Sequence, residues 1–248
     1  MSDFKMFRYD DGRLNDAIAV VGFPTVGLVG SIVTSYIVRE LKMPILKGMS
    51  SDDISPYCIL IDGEPYPPIR VHGLCRKEDG KDCSDLMVVT SEIAPNITQC
   101  YTLTNELLNM FRDYGVKKVI CLEGIPRYCK DDVMYACGST PEARTMIKSF
   151  GVEALETGMI KGLTGIMLFE GKERDMDIVT LLCPADPKLP DPRAAAGVLD
   201  ELAKVIPELK DMDTSPLVQE AEELDRRIRA QSESDAPPAL PRDQHIYG

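Results

Sequence analysis

The chain has 248 residues, 44% of them hydrophobic and 27% charged, with a formal net charge of -12. That balance suits an α/β body with a sizeable core, while the acidic surplus argues against nucleic acid, whose phosphates demand clustered Lys and Arg, and against an anionic membrane. Residues 1–15 carry charges and no apolar run, so no cleavable leader is expected and the predicted location is cytoplasmic.

Residues 17–38 are uncharged over a length that could cross a bilayer, yet Gly22, Pro24, Gly27 and Gly30 punctuate them. A buried central strand over 17–22, a tight turn, and a helix from 25 to about 41 fit this stretch better than a membrane span. Strands are expected over 43–49 and 57–62. An edge strand is expected over 66–75, because its prolines cannot donate to a central ladder. A buried strand over 86–90 ends at Ser91 and Glu92. Asn96 or Thr98 then caps a helix running to about 114, with Leu103, Leu107, Met110 and Phe111 inward. Gly115 stops it, and the next strand, 116–122, ends at Glu123 and Gly124.

This strand–helix–strand order predicts an α/β fold with a mainly parallel sheet flanked by helices. Helices over 141–150 and 162–174, a strand over 177–183 and a helix over 193–206 complete the body. Asp191 is the N-cap of that last helix, Pro192 its first position, and Pro207 its stop. A charged helix follows over 214–231, with a narrow apolar seam of Leu217, Ala221, Leu224 and Ile228. From 232 onward periodicity vanishes, and Pro237, Pro238 and Pro241 break helix and strand alike. Three parts are therefore expected: a core over 1–210, a C-terminal helix over 211–231, and a disordered tail over 232–248.

The glycine-rich turn at Gly22, Pro24, Gly27 and Gly30 follows a strand and opens a helix, which is the setting of a phosphate loop. Its spacing is not G-x-G-x-x-G, and no Gly-Lys-Ser/Thr is present. It reads either as a packing turn or as an anion site. Glu92 and Glu123 follow two expected parallel strands, where open α/β sheets place ligands. Such a pair could serve acid–base chemistry, or it could cap loops and bridge subunits. His72 falls in the edge segment and His245 in the tail. Neither G-x-S-x-G nor H-E-x-x-H occurs, so a serine or zinc hydrolase is not expected. The eight cysteines include no C-x-x-C. Cys121, Cys129 and Cys137 recur every eight residues, a spacing of no common metal site, so reduced thiols are expected, with no metal and no cofactor.

The chain ends in Ile246-Tyr247-Gly248. An aliphatic chain, a ring with a polar hydroxyl and a free carboxylate make a compact three-point plug.

Four separated segments share a resemblance. They are Val20-Val-Gly-Phe-Pro-Thr-Val-Gly-Leu-Val-Gly30, Gly162-Leu-Thr-Gly-Ile-Met-Leu-Phe-Glu-Gly171, Asp191-Pro-Arg-Ala-Ala-Ala196, and the stretch 213–229. In that order they resemble the PAC2 family, the proteasome assembly chaperones and their archaeal homologues, over roughly residues 14–231. The resemblance implies a nucleoside-phosphorylase-like α/β sandwich without catalytic activity that forms homo-oligomers and binds the 20S proteasome. It further implies that Ile246, Tyr247 and Gly248 enter pockets between α-subunits of the ring, the carboxylate pairing with a pocket lysine. No ATP-binding motif is present, so the expected action is ATP-independent. A tether of 16 residues spans roughly 20–25 Å as a flexible coil. Several tails on one oligomer would raise avidity by about 10²–10⁴. The competing expectation is a small-molecule-binding protein or enzyme of phosphorylase-like fold, using the glycine turn with Glu92 and Glu123.

Overall fold

Which runs are apolar on both sides and which on one side decides the layering of this molecule. The computed structural model describes residues 4–10, 14–75, 85–127 and 133–234. In chain order the elements are β1 (Lys5–Arg8), β2 (Ile18–Gly22), α1 (Val29–Glu40), β3 (Ile45–Ser50), β4 (Ile59–Ile61), β5 (Glu64–Tyr66), β6 (Ile69–Leu74), β7 (Leu86–Ser91), α2 (Cys100–Asp113) and β8 (Lys118–Pro126). They continue as β9 (Tyr135–Gly138), α3 (Pro141–Phe150), β10 (Glu153–Ala154), α4 (Gly162–Glu173), β11 (Asp177–Ala185), α5 (Pro192–Leu202) and α6 (Ser215–Ser234).

Among the described residues one nine-stranded sheet runs in the order β1-β3-β6-β7-β2-β8-β11-β9-β10. Its centre, β7-β2-β8-β11, is parallel. Outward it turns antiparallel, through β6, β3 and β1 on one side and β9 on the other. All five residues of β2 are buried, as a strand covered on both faces requires. Alternation then sorts the side chains. Val20, Val88, Ile120, Leu122 and Leu181 pack under α1, α3, α5 and the start of α6. Val21, Val89, Val119 and Cys121 pack under α2 and α4.

Local signals set the helix ends. Thr140 Oγ1 accepts from the Ala143 amide at 3.0 Å to start α3, and Asp191 Oδ1 accepts from the Ala194 amide at 2.9 Å to start α5. Each cap satisfies an amide that the helix itself leaves open.

Several expectations need correction. The strand over 66–75 is not an edge strand: β6 lies between β3 and β7. Its prolines, Pro67 and Pro68, stop before Ile69, so β6 pairs along its whole length with β7 and, across a register shift at Ile45/Lys47, with β3. β8 does not end before Glu123 but carries Glu123 and Gly124 within it, running to Pro126. The first helix begins at Val29 rather than at 25, because Gly27 (φ 64°) and Leu28 (φ 52°) sit in the left-handed region. α5 ends at Leu202 rather than 206. The strand over 57–62 shrinks to β4, paired only with β5 in a separate hairpin. α6 extends to Ser234, three residues beyond 231. Its first turns bury Leu217 and Ala221, with Leu217 in the core shared with α5. No helix among the described residues is long and apolar enough to cross a membrane.

Candidate functional site

The glycine turn is filled by its own backbone. A methyl at Gly22 would stand 2.1 Å from the Gly30 carbonyl oxygen, and one at Gly30 would stand 2.9 Å from the carbonyl oxygens of Leu122 and Phe23. Gly27 is closed in by Ala185 and Asp191. The turn's polar groups are engaged as well. The Asp191 amide donates to the Gly27 oxygen at 2.8 Å, and Thr25 Oγ1 accepts from the Gly124 amide at 2.9 Å. Close packing of the start of α1 on the ends of β2 and β8 accounts for Gly22 and Gly30. Pro24, half-buried at the turn, leads into this junction.

The two carboxylates occupy different places. Glu92, just past β7, takes two contacts from the Arg70 guanidinium, one of them Nη1–Oε2 at 2.8 Å. Arg70 is 4% exposed and also donates to the Pro67 and Pro68 carbonyls at 3.1 and 3.3 Å. It stands opposite Thr90 in the ladder, and Thr90 meets Thr34 and Ser35 of α1. Glu123 lies in β8 in phase with Cys121, on the α4 side, where Thr164 Oγ1 donates to its Oε2 at 2.8 Å. Burial pushes the Glu123 carboxyl up to about 7, against the Thr164 hydrogen bond and the nearby Lys161 charge. So Glu92 anchors a buried arginine under α1, while Glu123 sits beneath α4 two strands away. They form no shared pocket. Removing Glu92 strands a desolvated guanidinium. Glu92→Ala is therefore expected to lower stability by about 1–3 kcal/mol, read as a shifted urea midpoint, with Arg70→Met/Glu92→Gln recovering part of the loss.

His72 is buried within β6, its Nδ1 3.1 Å from the Met43 carbonyl oxygen. Burial pushes its pKa down to about 4, so it is neutral near pH 7 and has no access to substrate. Cys121, Thr180 and Cys137 lie in register across β8, β11 and β9. Two strand spacings, about 9–10 Å, separate the two thiols, beyond disulfide reach. Cys129 lies outside the described residues, and those residues contain no cluster of three or more metal-ligating side chains. Two open hollows of about 520 and 500 Å³ lie at the β9–α4 margin and beside α3, and neither is lined by Glu92 or Glu123. The remaining candidates, Ile246, Tyr247 and Gly248, lie outside the described residues.

The features sequence reasoning missed are the Arg70 partner of Glu92 and the Thr164 partner of Glu123. Both are contacts between elements, and no local spacing announces them.

The glycine turn is thus packed shut, and the two carboxylates are held by separate partners. The sequence model of the PAC2 family matches residues 19–232, and the chain belongs to that family. It is similar to PbaA of Pyrococcus furiosus, an archaeal homolog of proteasome-assembly chaperone, with 27% identity, a TM-score of 0.80, and coverage of 94% of this chain and 92% of that one. PbaB of Pyrococcus furiosus, an archaeal proteasome activator, shares the fold at a TM-score of 0.79 and 21% identity, covering 94% of this chain and 100% of that one. An uncharacterized protein of Methanocaldococcus jannaschii is 25% identical over 221 residues, 89% of this chain and 87% of that protein.

Proposed function

We propose that the chain is a non-enzymatic, ATP-independent proteasome assembly chaperone or activator of the cytoplasm. In this reading it docks as a homo-oligomer on the 20S α-ring through Ile246, Tyr247 and Gly248. Similarity to PbaA along nearly the whole chain is the observation that carries it. Residues 1–210 serve as the body, 211–231 as the helix attached to it, and the remainder as the tether of the plug. The plug is three residues long, and ordering its tether opposes the burial it gains. Useful affinity then comes from several tails acting together.

The test is a pull-down with the cognate α-ring. Full-length protein is expected to co-purify with it, whereas Tyr247→Ala and the chain ending at residue 245 are expected to lose binding while keeping the circular dichroism of the folded body. Undiminished capture of the shortened chain would sink tail docking. The competing small-molecule reading draws no support from the geometry, since Glu92 and Glu123 do not converge.

A further inference from the structure

The β4–β5 hairpin stands outside the nine-stranded sheet as a unit of its own. Its turn is well specified: Asp62 and Gly63 have φ of 51° and 84°, the pair of positive values that a two-residue type I′ turn demands. Its base is pinned where the Tyr66 ring meets Tyr9 edge-on, with centroids 5.1 Å apart. Beyond that base its Leu60 face has no cover among the described residues. Leu60 is 70% exposed, and its cross-strand partner Pro65 is exposed on the same face. A lone two-stranded hairpin is marginal in water; this one half-buries Ile59, Ile61 and Tyr66 on one face and turns Leu60 and Pro65 outward on the other, with Asp62 at its tip.

A complementary surface lies at the other margin of the sheet. The hollow of about 520 Å³ between β9, the 155–160 segment and α4 is lined by Leu155, Ile160, Leu168 and Phe169, with Arg144 and Lys172 against a single acid, Glu156. Arg144 is held in place through Nη1 by the carbonyls of Gly138 and Ser139. α4 carries apolar residues around its circumference, which normally means cover on all sides, yet Phe169 is 56% exposed and the adjacent Met159 is 93% exposed.

Apolar meets apolar and acid meets base, but not within one chain. β6, into which the hairpin leads, and β9 are five strand spacings apart, about 24 Å. The geometry points to a head-to-tail contact between two copies of this chain, in which the β4–β5 hairpin of one enters the β9–α4 hollow of the next. Leu60 and Pro65 cover Leu168 and Phe169, and the Asp62 carboxylate at the tip faces Arg144 and Lys172, while Glu64 stays on the far face with the Tyr66 hydroxyl. Such a contact leaves one unused hairpin at one end of the assembly and one unused hollow at the other until a ring closes. The inference rests on the homo-oligomer reading above and supplies its interface.

The test is the solution mass of the full chain by light scattering. Leu60→Asp and Phe169→Asp are each expected to weaken association by about 30-fold or more, giving monomers where the unaltered protein is oligomeric, with the circular dichroism of the folded body retained. An equimolar mixture of the two variants is expected to form 1:1 dimers, because one intact hairpin–hollow pair survives in the mixture. Asp62→Lys and Lys172→Asp should each weaken association and, combined in one chain, restore it. An unaltered protein that is monomeric, single variants that keep the oligomer mass, or a mixture that stays monomeric would overturn the proposal. An oligomer that forms as described yet fails to bind the α-ring would instead sink the docking reading and leave this interface standing.

Discussion

Gly124→Ala is expected to deplete the folded protein, lowering stability by about 3 kcal/mol or more. The added methyl would stand 1.9 Å from the Val26 carbonyl oxygen and 2.8 Å from its carbon. Both atoms belong to backbone, so no side chain can swing away. The segment that would have to move is tied from three directions: by Thr25 to the Gly124 amide, by Gly27 to the Asp191 amide, and by Ala185 pressed against Gly27. Gly22→Ala is expected to behave similarly, 2.1 Å from the Gly30 oxygen. The control is Gly197→Ala, inside α5 with nothing within 4 Å of the new methyl. It should stabilise by about 0.5–1 kcal/mol through helix propensity alone. Urea unfolding midpoints separate these outcomes. A Gly124→Ala protein within about 1 kcal/mol of the parent would mean that the junction is looser than its geometry.

Glu123→Gln is expected to stabilise the protein at neutral and alkaline pH, by on the order of 2 kcal/mol. Burial holds the Glu123 carboxyl near 7, above its ordinary 4.5, so the fold favours the protonated form. Stability from this group is full below about 4.5, declines as pH rises toward 7, and is gone above it. Glutamine keeps an acceptor for Thr164 without acquiring a charge. The parent and variant should therefore melt alike near pH 4.5 and diverge up to about pH 7, the gap then holding constant. The ionic neighbour that opposes the shift is Lys161, at the N-cap of α4, so Lys161→Met should carry the parent's decline to higher pH and enlarge the total loss. Melting curves at several pH values decide the matter, and equal slopes for parent and Gln variant would refute it.

The elements legible in the sequence are those whose cause is local. The proline after Thr140 and the Asp191-Pro192 pair state where α3 and α5 begin, and the apolar runs at β2, β7 and β8 state their double cover. What escaped has causes far along the chain. β6 is interior because β3 and β7 flank it, and prolines just ahead of it mislead when counted as part of it. β1 and β9 are four residues each, too short for a period to declare itself. Glu92 follows its strand as expected, whereas Glu123 lies inside β8. Whether they share a site depends on a single residue of phase, which sends Glu123 with Cys121 toward α4 while Arg70 and Thr90 hold Glu92 near α1. The family itself was legible, because four motifs in one order survive where any single glycine pattern would not.

The place of β2 at the centre of the sheet also sets an order in time. It is the first core strand to be synthesised, yet its two neighbours are β7 and β8. At about 5–20 residues per second, roughly 3–14 s of translation separate the completion of β2 from that of β7, and β8 comes later still. Throughout that interval Ile18–Gly22, apolar on both faces, has neither ladder partner beside it. A strand that the finished molecule covers on both faces is thus the one the nascent chain leaves waiting longest.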